Sequence, residues 1–371
     1  MVCVLAAPLV AARVTRGSLV RLLVVALAAW AVGQVLSDQV HGLGLNISMQ
    51  LVTAVTTLSI FVVLLVLSRG DNDRIRYLMV GVAAGLVLEA IFVEHASLAD
   101  ATSWKFGLNG PVAIGLLAVT DLAWRRGRRV PSVLALMAIG LIGVVTDHRH
   151  LAAVAVLTAI VLLFRRTHRH PRTITVLAGL LLLLAMLSGA FIQASESGLL
   201  GERSGGQIQQ FGGSPQSILV NVRPEPFQEF YLFAVQPVLG WGSQPELDSR
   251  AYEGSKDFLR DLGVVRPDLD SIWLALDVPG VSAHSQAMDS WARAGLLAVP
   301  FWLVLFGLAL AAGTRAIRFR SSPLMVLWTI LIMWDAVFSP LTWFSHIELG
   351  AYLAFALTSL GHGSRTRVAG G

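Results

Sequence analysis

The chain has 371 residues, of which 55% are apolar and only 14% charged, and its formal net charge is +5. Soluble domains carry roughly a quarter of their residues as Asp, Glu, Lys or Arg, so these proportions exclude an ordinary soluble enzyme. The arginines lie in short turns between apolar runs, not in a basic face interleaved with exposed aromatics, so the positive balance does not point to nucleic acid.

Apolar runs of about 18 residues cross the roughly 30 Å hydrocarbon layer of a membrane. Such runs predict spans near Leu19 to Leu36, Ser48 to Leu67, Tyr77 to Val93, Phe106 to Trp124, Pro131 to Thr146 and Leu151 to Phe164. Further runs follow at Thr173 to Gln193, Gly295 to Gly313, Leu324 to Ser339 and His346 to Leu360. The expected fold is therefore all-α, a polytopic bundle of about ten spans with one large external loop. Residues 1–193 form an N-terminal transmembrane bundle, 194–292 the loop and 293–371 the C-terminal transmembrane helices. Glu89 and Asp335 fall inside predicted spans, where a charge is expected to face the bundle interior or water. Cys3 is the only cysteine, so neither an internal disulfide nor a cysteine-ligated zinc is expected. The first apolar run, preceded by Arg13 and Arg16, reads as a retained helix.

Orientation follows from the basic turns, because short Lys/Arg-rich connections stay in the cytoplasm. "SRGDNDRIR", "WRRGRRV", "RRTHRHPR", "TRAIRFR" and the tail "HGSRTRV" are then cytoplasmic, with both termini. "SDQVHGLGLN", "EHASLADATSWK", "TDHRH" and the large loop are external. Lys105 and Arg149 alone break the rule among the short external connections. The expected location is a bacterial cytoplasmic membrane.

The loop is polar and rich in Gly, Pro and Ser at its start, and loops of that size are usually functional. Its opening, "SESGLLGERSGGQIQQFGGSPQS", reads as irregular. "PELDSRAYEGSKDFLRDLG" predicts an amphipathic helix and "AHSQAMDSWARAGLL" begins another. "QPVLGWG", Gln236 to Gly242, predicts a turn, with Trp241 suited to an interfacial position. The pairs His148/His150 and His168/His170 lie beside arginines and are not read as metal sites.

Three segments carry a resemblance. In "HSQAMDSWARAGLLA", His284 and Ser285 are followed after nine residues by Gly295, then two residues on by Ala298. Upstream, Arg223 precedes Phe227, and Pro237, Gly240 and Gly242 form a Pro-x-x-Gly-x-Gly run. Arg149 opens the apolar segment after "TDH". Taken in this order, the segments resemble the O-antigen ligase and O-antigen polymerase superfamily. Phe227 stands where Trp is more usual, Ala298 replaces a small or hydroxylated residue, His148 replaces Ser and Ala153 replaces Leu.

The resemblance implies a metal-independent, inverting membrane glycosyltransferase without a cofactor, using an undecaprenyl-pyrophosphate-linked glycan donor and a glycan or lipid-glycan acceptor. The guanidinium groups of Arg149 and Arg223 suit the charge developing on leaving phosphates, and the His284 imidazole suits removal of the acceptor proton. Ser285, Trp241, Asp289 and Arg293 are the candidate substrate-binding residues, with Glu225 and Glu229 weaker candidates. The alternatives are a lipid or polysaccharide transporter and a catalytically inactive scaffold of polysaccharide assembly.

Overall fold

The computed structural model describes residues 17–44, 48–146, 148–164, 220–221, 223–244, 247–264, 284–319, 322–341 and 345–368. Helices α1 (Ser18–Val40), α2 (Met49–Ser68) and α3 (Asn72–Phe92) come first. They are followed by α4 (Asn109–Arg125), α5 (Val130–Val145) and α6 (Arg149–Phe164). The loop region contributes α7 (Glu225–Val235), α8 (Ser249–Asp261) and α9 (Gln286–Ala294). The chain closes with α10 (Val299–Phe319), α11 (Pro323–Phe338) and α12 (Ser345–Val368). No strand occurs among the described residues.

Among the described residues four helices are long and apolar enough to cross a membrane: α1, α2, α3 and the Val299–Arg318 part of α10. Val130–Val145, His150–Leu162 and Pro323–Phe338 are apolar but shorter. The expected span Thr173 to Gln193, the pair His168/His170 and the irregular start of the loop lie outside the described residues.

Local sequence fixes the helix ends. Ser48 accepts a hydrogen bond from the Leu51 amide at 3.2 Å, and Asp71 accepts from the amides of Asp73 and Arg74. Ser322 caps α11 by accepting from Met325, and Pro323 follows in the first turn, where a missing N–H costs nothing.

The late helices fold back among the early ones: α12 lies along α2, α10 against α1, and α11 against α4 and α6. Trp30 of α1 packs on Phe301 and Trp302 of α10, with ring centroids 5.2 and 5.6 Å apart. Buried Arg76 of α3 pairs with buried Asp121 of α4, which also accepts from Ser322 at 2.9 Å. Breaking such a pair from one side costs about 3–5 kcal/mol, because the other charge is left buried and alone.

The elements alternate in direction, so the basic turns around Arg74, Arg126 and Arg318 share one end of the bundle. The start of α2, the start of α6 and helix α9 share the other. Glu89 is exposed on α3, three residues from the helix end.

Candidate active site

The two glycine-bearing segments of the loop clasp each other. Trp241 donates its amide to the Ala292 carbonyl at 2.8 Å, Gly242 to Arg293 at 3.0 Å, and Leu296 to Pro237 at 2.8 Å. Gly240 and Gly295 have φ of 71° and 66°, a region that L side chains avoid. A Cβ on Gly240 would stand 2.6 Å from the carbonyl oxygens of Ala292 and Arg293, and one on Gly295 would stand 2.4 Å from that of Val238. Both glycines are therefore required by close backbone approach. The clasp also separates the loop helix from the span that follows: α9 ends at Ala294, a single tight turn spans Gly295–Leu297, and α10 starts at Val299.

This clasp brings α7 against α9 and gathers three polar side chains. His284, just ahead of α9, places Nδ1 3.6 Å from Glu225 Oε1 in the first turn of α7. Arg223, two residues before that turn, is close enough to act on the imidazole electrostatically. Burial pushes the His284 imidazole below its ordinary value; the Glu225 anion opposes this and Arg223 adds to it. Among the described residues Arg223 makes no hydrogen bond or ion pair.

One turn along α7, Glu229 is fully buried, and among the described residues neither carboxylate oxygen has a hydrogen-bond partner. Burial holds its carboxyl well above the ordinary range, with Asp289 and Glu225 pushing the same way against Arg293. Gln228 beside it is also buried, with an unpartnered amide nitrogen.

The residues expected to bind substrate are tied up within the fold. Ser285 caps α9, accepting from Met288 at 3.1 Å and donating to the Ala336 carbonyl of α11 at 3.1 Å. Arg293 donates to Asp289 at 2.6 Å and to the Ser243 carbonyl at 2.6 Å. Gln50 of α2 donates to Asp289 and accepts from Ser290 at 3.0 Å. Trp241 is buried against Leu232, Ala251 and Ala292, and its indole N–H donates to the Leu232 carbonyl at 2.9 Å. It sits inside the loop and not at an interface.

Arg149 opens α6 at the same end of the bundle, although its side chain lies outside the described residues. Its neighbours fix where that helix starts. His148 approaches Asn109 at 3.0 Å, and the His148 and His150 rings meet edge-on at 4.2 Å between centroids. His150 stacks on Trp334 of α11, with 6.3 Å between ring centroids. Ser285 and His150 thus rest on the same turn of α11, so the chain at His284 and the start of α6 share a neighbour.

Sequence reasoning did not single out Gln50, Asp38 or Ser243. Asp38 accepts from the Ser243 amide at 2.6 Å and from Gln34 at 3.0 Å, anchoring the loop to α1. Polar residues inside an apolar helix were the available signal. No protein-family model matches the chain, and no curated protein matches it in sequence.

Proposed function

We propose that the chain is an integral membrane glycosyltransferase, similar to the O-antigen ligase and polymerase superfamily, that moves a lipid-pyrophosphate-linked glycan to an acceptor hydroxyl outside the membrane. The reading includes about ten spans with cytoplasmic termini, an external loop, and a role in polymerising or ligating surface polysaccharide at the bacterial cytoplasmic membrane. The observation that carries it is the grouping of Arg223, Glu225 and His284 by the Gly240/Gly295 clasp.

In this scheme the acceptor oxygen bonds to the anomeric carbon while the bond from that carbon to the phosphate oxygen breaks, and the electron pair leaves on the pyrophosphate. The face of the sugar attacked is opposite to the leaving group, which inverts the anomeric centre. The acceptor proton passes to His284 Nε2. The Glu225 carboxylate, 3.6 Å from Nδ1, favours the Nδ1–H tautomer and stabilises by its charge the imidazolium that forms. Arg223, and Arg149 from the start of α6, hold the departing pyrophosphate, where a planar guanidinium gives paired charge-assisted hydrogen bonds. Asp289 and Arg293 act as positioning residues: their mutual pair and the bond to Gln50 fix α9 on the bundle.

The test is glycan analysis of a strain lacking the protein and complemented with His284→Ala at wild-type abundance. Single repeat units left in place indicate a lost polymerase, and long chains left on carrier lipid indicate a lost ligase. Wild-type glycans from the His284→Ala strain would remove the proposal.

A further inference from the structure

Helix α7 is built inside out. Its polar residues Gln228 and Glu229 face inward, 1% and 0% exposed, whereas Phe230 and Val235 stand 47% and 48% exposed and Val238, in the turn that follows, 64%. Ala234 completes the outward face. A helix bathed in water has the opposite arrangement, apolar in and polar out. Contiguous apolar surface of this kind marks contact with a non-aqueous partner.

The position of the helix identifies that partner. The turn after α7 is bonded to the tight turn that leads into α10 by the Leu296 amide on the Pro237 carbonyl, and a Cβ on Gly295 would touch the Val238 carbonyl. From there α10, one of the helices long and apolar enough to span a membrane, presents Leu303 and Leu310 outward at seven-residue spacing, and Leu296 in the turn ahead of it is exposed as well. The exposed apolar residues Phe230, Val235 and Val238 thus lie on the helix and turn bonded to the start of that candidate span.

We propose that α7 is an interfacial helix whose outward face, Phe230, Ala234, Val235 and Val238, is immersed in the lipid leaflet on the side of the site. An amphipathic helix lying in the plane of the interface buries its apolar face about 5–10 Å into the headgroup and acyl boundary. The inward face, with Glu225, then sits at the depth of lipid phosphates. The inference needs only that α10 spans a bilayer and does not depend on the chemistry assigned to His284.

The full chain carrying Cys3→Ser, with single nitroxide labels at V235C, V238C or the control E253C, tests it in phosphatidylcholine/phosphatidylglycerol nanodiscs. Glu253, on α8, is a solvent-exposed polar position. Collisions with oxygen, which concentrates in lipid, are compared with those of a water-soluble nickel chelate. At 235 and 238 the oxygen-to-nickel ratio is expected to exceed that at 253 several-fold. A ratio equal to the control would place the face in water and overturn the proposal. Exclusion of both agents with spin–spin broadening at full labelling would instead seat a second copy on it, and would overturn it equally. Transfer activity is not the readout, so failure here and failure of the glycosyltransferase reading are distinguishable.

Discussion

His284 can accept a proton only as neutral imidazole, and its environment favours that form. Because burial and Arg223 lower its pKa against the pull of Glu225, the neutral form persists below the ordinary value of about 6.5. Transfer activity is then present above the lowered pKa and lost as pH falls through it, so the acid limb of kcat against pH is expected below about 6.5. Glu225→Gln removes the anion that favours the imidazolium. The limb should move further to acid and the plateau should drop, whereas a merely structural role would leave the limb in place. His284→Ala should reduce transfer by about a hundred-fold or more, with donor binding retained. Arg223→Lys keeps the charge but loses the fork and should weaken donor engagement, measured at equal membrane abundance. Glu229 gives the opposite sign in stability. Its raised pKa keeps the proton on in the folded protein above the pH where an unfolded chain releases it. Stability is therefore lost as pH rises from about 4.3 to the folded value. Glu229→Gln is expected to raise the melting temperature in detergent at neutral pH and to leave it nearly unchanged below about pH 4.

At the scale of elements, the clasp makes a sharp distinction between glycines. Gly240→Ala or Gly295→Ala must fit a Cβ at positive φ against backbone carbonyls, and is expected to cost at least about 1–3 kcal/mol and to lower the thermal midpoint. Gly307→Ala, in α10 with open space around its Cβ position, should be neutral or stabilising by up to about 1 kcal/mol. The Pro-x-x-Gly-x-Gly run was legible as a turn, and the helix at Ser249–Asp261 was legible from its periodicity. Helix α7 was not, because Gln228 and Glu229 point inward while Phe230 and Val235 point outward, reversing the pattern that marks a soluble helix. The boundary at Gly295 was expected, but the tight turn over Gly295–Leu297 was not, because Gly-Leu-Leu-Ala reads as the first turn of a helix entering lipid. His284 and Arg223 were singled out through the resemblance to the O-antigen ligase and polymerase superfamily, and the fold brings both to the start of α7 and α9. The bonds from Gln50 and Asp38 were not: they join residues 239 and 205 positions apart, and no local pattern encodes such a pairing.

For the whole molecule, the alternating helices put the basic turns and the candidate site at opposite ends, and that separation carries two expectations. Cysteine labelling in intact cells should find Glu253, exposed on α8, accessible from outside and Arg126 and Arg318 only after permeabilisation; the reverse pattern would remove the proposed chemistry. Activity of the purified protein on a lipid-linked donor should persist in excess chelator, because guanidinium groups are assigned the charge that a divalent ion supplies in other phosphate chemistry. If added magnesium restored activity that the chelator had abolished, the loop carboxylates would have to be reassigned as metal ligands.

The pairing of Gln50 with Asp289 also sets a schedule on the ribosome. The two residues are separated by 239 positions, so at about 5–20 residues per second Gln50 waits roughly 12–48 s after its own synthesis for its partner. Ser290, its second partner, arrives one residue later, and Tyr352, against which Thr329 is held, emerges later still. Throughout that interval α1 and α2 carry Gln34, Gln50, Thr53 and Thr57, all buried in the finished bundle, without the late helices that cover them. A nascent chain in this condition presents the unpaired polar groups that membrane quality control recognises. Substitutions on α10 to α12, far from His284, are therefore expected to act first on how much protein survives synthesis.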